Sequence, residues 1–166
     1  EYTTLLAFYL SKDFDYLVLE AGLGGEFDAT NVVINNLSLI TTIGLDHISF
    51  LGDSVEKIAR TKMRSVDKKM IIGYQEFNEV YQTALKVKKE LKTEFNKDIE
   101  ILKVENFNID YNFIFASYLK RNLSLVLKAL EELNLPINLE IFNSTPLFGR
   151  CQKINNNLFI DVGHNP

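Results

Sequence analysis

Short apolar segments that alternate with amphipathic ones constrain the fold of this 166-residue chain more than any other feature. Residues 16–20 form an apolar run that ends in a carboxylate, as is typical of a strand buried on both faces of a parallel sheet. Residues 37–43, 70–72 and 99–104 are further strand candidates. This alternation predicts an α/β fold, with a mostly parallel sheet flanked by helices.

Helical spacing of the apolar residues predicts the elements between the strands. Asp53-Ser-Val-Glu56 resembles a capping box at the start of one helix. Residues 152–154 and 158–161 are separated by three asparagines and are predicted to pair as the first hairpin of a second α/β domain. We therefore expect a first domain over residues 1–143 and the start of a second over 144–166. The predicted helices are residues 3–12, 53–64, 76–96 and 113–133.

Composition excludes several classes of function. Twenty-two acidic residues against eighteen basic ones give a net charge of −4 without a basic cluster, which argues against a nucleic-acid partner. No apolar run approaches the roughly 20 residues that span a bilayer, so no membrane partner is expected. The single cysteine, Cys151, can form neither an internal disulfide nor a cysteine metal cage. This is typical of a reducing compartment, and we expect a cytoplasmic protein.

Both ends of the sequence are typical of the interior of a longer protein. Glu1 leads directly into a helical pattern, and Pro166 follows a Gly-His-Asn sequence at which a functional loop is expected to continue. The chain also contains no Gly-Lys-Ser/Thr phosphate-binding loop. We therefore expect it to be a fragment.

Two predicted strand ends carry residues that suit a metal ion, and ligands collect at such ends in open parallel sheets. Glu20 precedes three glycines within five residues, and a carboxylate is the hard ligand that Mg²⁺ prefers. His47 follows the next strand, where its imidazole could serve a metal beside Glu20. Taken singly, Glu20 has an alternative interpretation as a merely solvated carboxylate, and His47 has one as a hydrogen-bonded loop histidine.

Other charged residues allow both a functional and a simpler interpretation. Lys62 lies on a predicted helix, where most lysines are solvated, and a special role requires that it point towards the metals. Arg150, Asp161 and His164 cluster near the end of the chain. Arginine suits a phosphate and aspartate a ribose hydroxyl, although an ion pair across the hairpin explains them equally well.

Taken together, five separated segments resemble the folylpolyglutamate synthase/dihydrofolate synthase family of the Mur ligase superfamily. Their order and spacing also match the family. The resemblance covers essentially the whole chain but only the middle of the family's full length. The five segments are residues 20–31 (EAGLGGEFDATN), 43–52 (IGLDHISFLG), 58–62 (IARTK), 149–150 (GR) and 161–166 (DVGHNP).

The resemblance implies an ATP-dependent ligase that joins L-glutamate to dihydropteroate or to a folate through an acyl phosphate. Residues 1–143 then correspond to part of the central ATPase domain, and residues 144–166 to the start of the glutamate-ligase domain. Two Mg²⁺ ions are implied, with Glu20 a ligand of one and His47 of the other. Lys62 matches a catalytic lysine that the family carries in carbamylated form.

The same resemblance assigns residues to the two larger substrates. Phe27, Asp28 and Ala29 fall where the family binds the pterin. The nucleotide-contacting positions match Asn122, Arg150 and Asp161, and His164 is a catalytic candidate next to the phosphates.

Departures from the family pattern keep other interpretations open. Glu26 stands where the family commonly has arginine, which leaves substrate preference open, and Met63-Arg64 replaces the usual Ala-Gly after the lysine.

The family's phosphate-binding loop would lie before Glu1. We therefore expect the chain alone to be inactive and to self-associate through exposed apolar surface. The alternatives are a Mur-type peptidoglycan ligase and a catalytically inactive binding module.

Overall fold

A computed structural model of the chain describes residues 1–105, 116–138, 140–141 and 148–163. A three-stranded parallel sheet lies at its centre, with the strands in the order β1-β2-β3. A separate antiparallel hairpin, β4-β5, follows. The strands are β1 (Ser38–Ile40), β2 (Lys69–Ile72), β3 (Glu100–Lys103), β4 (Gln152–Asn155) and β5 (Leu158–Ile160), and the α-helices are α1 (Tyr2–Leu10), α2 (Ile48–Leu51), α3 (Val55–Met63), α4 (Glu79–Phe95) and α5 (Ser117–Glu132).

The central strand β2 is buried on both faces, as its continuous apolar sequence predicts. On one face, Met70 and Ile72 pack into the main core with residues of α3 and α4. On the other face, Ile71 packs with Leu125 and Ala129 of α5. The predicted parallel sheet with helices on both sides is thus confirmed.

Helix α3 is capped by Ser54 and not by Asp53, the first residue of the predicted capping box. Ser54 has extended backbone, and its hydroxyl accepts a hydrogen bond of 3.3 Å from the Lys57 N–H, so Ser54 is the N-cap. The Asp53 carboxylate instead forms an exposed ion pair of 2.8 Å with Lys57. The local sequence therefore marks the start of the helix correctly but assigns the cap to the wrong residue.

The predicted strand at residues 16–20 is wrong. These residues have irregular backbone, and Val18 is 94% exposed. A strand needs a neighbour that pairs with its N–H and C=O groups, and no strand of the described chain pairs with this segment. Helix α1 likewise buries none of its residues. We call α1 and residues 16–19 together the N-terminal apolar surface, because their large apolar side chains are mostly exposed.

Several other predicted bounds shift by a few residues. The strand expected over 37–43 is confined to Ser38–Ile40, and the helix expected over 76–96 is Glu79–Phe95, with the left-handed Asn96 as its C-cap. Residues 113–115 of the last predicted helix lie outside the described residues. The described helices include none that is both long enough and apolar enough to span a bilayer.

Candidate active site

A cavity of about 300 Å³ lies at the carboxyl ends of β1 and β2. Its walls combine the loop after β1, the loop after β2 and the last turn of α3. His47 and Lys62, which were predicted from separate sequence segments, both line it. The lining residues are Thr42, Ile43, Gly44, Leu45, Asp46, His47, Leu51, Lys62, Glu76 and Phe77.

His47 occupies a tight turn at the start of α2. Its backbone is left-handed, with φ at 48°, and its N–H donates to Asp46 Oδ1 at 2.8 Å. The imidazole Nε2 lies 3.7 Å from Asp46 Oδ2, and both side chains are partly exposed. The carboxylate of Asp46 thus fixes the backbone that carries the imidazole and also lies near the ring.

Lys62 is half-buried in the last turn of α3. It makes no ion pair with any carboxylate of the described chain, whereas Lys57 on the same helix is paired with Asp53. Asp46 and Glu76 line the same cavity as Lys62. This placement differs from that of a fully solvated lysine on a helix surface.

The glycine-rich loop, residues 22–26, packs against the turn of α3 that carries Lys62. Gly24 and Gly25 are buried, and a Cβ atom on Gly25 would lie only 2.9 Å from the Lys62 carbonyl oxygen. The Glu26 N–H donates to the Thr61 carbonyl oxygen at 3.1 Å. Only glycine allows the loop backbone to approach the helix this closely.

Asp28 holds the glycine-rich loop in its turn. Its Oδ2 accepts hydrogen bonds from the N–H groups of Gly22, at 2.9 Å, and Leu23, at 3.1 Å. Its Oδ1 accepts from the N–H and the hydroxyl of Thr30, at 2.9 and 2.7 Å. Partial burial by itself would raise the pKa of Asp28, but the hydrogen bonds from Thr30, Leu23 and Gly22 together hold it below the ordinary value of 3.8.

The three residues predicted to bind the pterin therefore have different surroundings. Phe27 is 87% exposed, whereas the carboxylate of Asp28 is fully used within the loop, since it accepts four hydrogen bonds. Ala29 begins a short 3₁₀ helix that Asp28 caps. The segment thus presents an exposed aromatic ring next to an internally bonded carboxylate.

Glu20 is exposed and is not among the residues that line the cavity. Within the described residues, no group of three or more histidines, cysteines and carboxylates is arranged to hold a metal ion. Mg²⁺ usually binds one or two protein carboxylates and completes its octahedron with water and substrate phosphates. The carboxylates of Asp46 and Glu76 at this sheet edge fit that mode of binding, and the described residues form no closed metal cage.

Asp161 connects the hairpin to α5. Its Oδ1 accepts from the Gly163 N–H at 2.8 Å, and its Oδ2 accepts from the Cys151 N–H at 2.7 Å and the Tyr118 hydroxyl at 2.9 Å. The Gly163 hydrogen bond is the main cause that lowers the pKa of Asp161, and the Tyr118 hydroxyl adds to it. The same carboxylate and, above all, burial raise the pKa of Tyr118.

Of the predicted nucleotide residues, Arg150 and Asp161 lie close together, and Asn122 is on α5. Asn122 lies four positions after Tyr118, on the same face of α5, and is exposed. Arg150 directly precedes Cys151, and its positive charge contributes to the lowered pKa of Asp161. His164 lies outside the described residues.

Three residues of these regions were not among the predicted site residues. Asp46 and Glu76 follow strand ends in the same way as His47, so the rule that selected His47 could have found them. Tyr118 carries no such signal. Its role depends on Asp161, which is 43 positions away in the sequence.

Comparisons with known proteins agree with the sequence motifs. A dihydrofolate synthase/folylpolyglutamate synthase of Buchnera aphidicola is 33% identical over 99% of this chain and 44% of its own length. Among solved structures, the Helicobacter pylori folylpolyglutamate synthetase is 39% identical with a TM-score of 0.70, and this chain covers 42% of it. Escherichia coli FolC, solved with DHPP and ADP, is 26% identical with a TM-score of 0.77, and 44% of it is covered.

No family model matches the chain. The chain spans less than half the length of the curated relatives that it matches over its whole extent. Its fold is that of the solved folylpolyglutamate synthases, which is Mur ligase-like. The resemblance seen in the sequence motifs is confirmed: over nearly its whole length, this chain is similar to a part of proteins named dihydrofolate synthase/folylpolyglutamate synthase.

Proposed function

We propose that the full-length protein is an ATP-dependent ligase that adds L-glutamate to dihydropteroate, to a folate or to both. The observation that carries this proposal is the meeting of His47 and Lys62 in one cavity at the carboxyl ends of two parallel strands. The named relatives support the same activity. A carboxylate is a poor electrophile, and transfer of the ATP γ-phosphoryl group to it gives an acyl phosphate that the glutamate amine can attack.

The residues at the sheet edge fit a role in handling phosphate charge. We assign His47 to one Mg²⁺ ion and Glu20 to another, with phosphate oxygens and water as the remaining ligands. When bound, the two ions neutralise charge on the transferred phosphoryl group. Asp46 fixes the backbone of His47, whereas Glu20 is exposed next to the glycine-rich loop.

We assign Lys62 a carbamate on its amine. An unmodified ammonium group would repel a nearby divalent cation, whereas a carbamate carries a negative charge and can orient it. The half-buried position of Lys62 and its lack of an ion pair with the described carboxylates support this assignment. NMR of the protein in ¹³C-bicarbonate should show a carbamate signal that is lost in K62A.

The remaining site assignments are those that the family resemblance implies. Asn122, Arg150 and Asp161 contact the nucleotide, with His164 near its phosphates, and Phe27, Asp28 and Ala29 contact the pterin. E. coli FolC binds ADP and DHPP, which supports a site for both ligand classes. The hairpin is not part of the parallel sheet, which supports a domain division into residues 1–143 and 144–166.

The 166-residue chain on its own is proposed to lack ligase activity, because its sequence contains no phosphate-binding loop. The N-terminal apolar surface supports self-association of the isolated chain. Light scattering should then give a mass above that of the monomer. The single cysteine, Cys151, is free, which supports a cytoplasmic location.

The decisive experiment measures ADP release by the full-length protein with glutamate and either dihydropteroate or tetrahydrofolate. Muramyl peptides tested in parallel distinguish this ligase from a peptidoglycan ligase. K62A is expected to reduce turnover roughly a hundredfold, the usual cost of losing one preorganised charge-stabilising group. K57A is the matched control, since Lys57 is on the same helix but is exposed and paired with Asp53. Absence of pterin-dependent ADP release would contradict the proposal.

A further inference from the structure

We propose that Arg64 is a positioning residue that fixes the glycine-rich loop, and with it the segment 27–29, through Glu26. The effect on catalysis rests on the function proposed above. The effect on the loop rests on the geometry alone and can be measured without any turnover.

Arg64 is almost completely buried, yet it is charged. Arg64 directly follows Met63, the last residue of α3, and its side chain is only 7% exposed. Its Nε donates to Glu26 at 2.6 Å, its Nη1 to Glu90 at 3.1 Å and its Nη2 to Glu94 at 2.8 Å. Its guanidinium carbon also lies 5.4 Å from the centre of the Phe95 ring. A guanidinium can hold three carboxylates at once because its donors form a fixed planar fork.

The charges around Arg64 explain why it can remain buried. Glu90 also accepts a hydrogen bond of 2.9 Å from Arg60, so two arginines face three carboxylates. A buried cation is costly unless it is paired, and loss of one partner leaves a charge poorly compensated. Glu90 and Glu94 hold the guanidinium against α4, and Glu90 still pairs with it when Glu94 is neutralised.

Glu26 differs from the other two carboxylates by its position in the chain. Glu90 and Glu94 belong to α4, whereas Glu26 belongs to the glycine-rich loop, 38 positions before Arg64. The Glu26 N–H donates to Thr61, and its carbonyl oxygen accepts from the Asn31 side chain at 2.9 Å. A fixed Glu26 thus restrains both the glycines before it and the substrate segment after it.

The contact also explains two departures from the family's sequence pattern. Glu26 stands in place of an arginine and Arg64 in place of a glycine, and in this chain the two residues contact each other. An arginine at position 26 would face the buried Arg64. Because its carboxylate is bonded to Arg64, Glu26 acts as part of the scaffold, and the charge reversal next to the substrate segment is neutralised within the protein.

The test compares E26Q with E94Q in the full-length protein. Each substitution removes one negative charge next to Arg64 with little change in shape, but only Glu26 lies in the loop. Hydrogen exchange of the loop amides of Gly22, Leu23 and Glu26 is expected to accelerate several-fold in E26Q and to stay near wild type in E94Q. R64K keeps the charge without the planar fork, and its exchange rate is expected to be intermediate.

Steady-state kinetics provide the second measurement. E26Q is expected to raise the KM for the pterin substrate several-fold with a smaller change in kcat, while E94Q leaves both near wild type. Equal loop exchange in E26Q and E94Q would overturn the positioning role, as would an unchanged KM in an active E26Q enzyme. If the wild-type protein and all variants lack ligase activity but E26Q alone loosens the loop, positioning is supported and the proposed function fails.

Discussion

The glycine-rich loop and the hairpin near the other end of the chain are each held by one aspartate, but the rest of their support differs. All four hydrogen bonds to Asp28 come from residues within six positions of it, and the loop they shape is also packed against α3 and bonded to Arg64. Asp161 instead joins a turn to a distant helix through Tyr118. One aspartate therefore shapes a loop locally, whereas the other connects two elements that are distant in the sequence.

The largest effect is expected where the glycine-rich loop meets α3. In G25A the new Cβ would lie 2.9 Å from both the Lys62 carbonyl oxygen and the Ser65 hydroxyl, so the backbone must shift. Such overpacking should lower the free energy of unfolding by about 2 kcal/mol. Chemical denaturation measures the change. G44A is the control, because no atom lies within 4 Å of its Cβ, and equal losses in the two variants would contradict the packing argument.

Removal of the Asp28 carboxylate should have a slightly smaller effect than the clash at Gly25. D28A loses all four hydrogen bonds, two of which are exposed, and we expect a loss of about 1.5 kcal/mol in unfolding free energy. D28N keeps one oxygen that can accept from Gly22 and Leu23 or from Thr30, so it should lose roughly half as much. Equal losses for the two variants in urea unfolding would show that the hydrogen bonds do not account for the stability of the loop.

The link between the hairpin and α5 should be weaker. Y118F removes one exposed hydrogen bond to Asp161 and should cost about 0.5 kcal/mol. Y2F removes a hydroxyl from a Tyr2 side chain that is 79% exposed, and it serves as the control. Differential scanning calorimetry should show a small decrease in Tm for Y118F only. If Y118F lowered the Tm as much as D28A does, Asp28 and Asp161 would contribute equally to stability.

Acid should weaken the contribution that Asp28 and Asp161 each make to the stability of the folded state. Each has a pKa below the ordinary 3.8, so the folded state binds fewer protons than the unfolded state as the pH approaches that value. Their contribution to stability is full above about pH 3.8 and is lost as the pH falls through the lowered pKa of the folded state. The Tm of D28N should therefore decrease less than that of wild type between pH 5 and pH 3, and parallel decreases would contradict the assignment.

Much of the fold is predictable because it depends on local periodicity. The apolar run of β2 and the amphipathic spacing of α4 and α5 predict the sheet and its two helix layers. The same rule is wrong for residues 16–20, since an apolar run becomes a strand only when another strand pairs with it. Pairing is a tertiary property that a local pattern does not contain.

The candidate site is predictable to a lesser extent. The rule that ligands bind at the carboxyl ends of strands selected His47, and the motif resemblance selected Lys62, which lines the same cavity. The strand-end rule also selected Glu20, which does not line that cavity. The contact between Glu26 and Arg64 was beyond sequence reasoning, because 38 positions separate them and each residue alone resembles an ordinary surface charge.

The left-handed backbone of His47 affects how this residue can be studied. An alanine there would be strained, so H47A would disturb the turn into α2 and remove the imidazole at the same time. Asparagine tolerates the same backbone conformation, and H47N would therefore change the chemistry of the side chain while it preserves the turn. Any measurement that assigns a ligand to this imidazole is interpretable only with a replacement that accepts a positive φ.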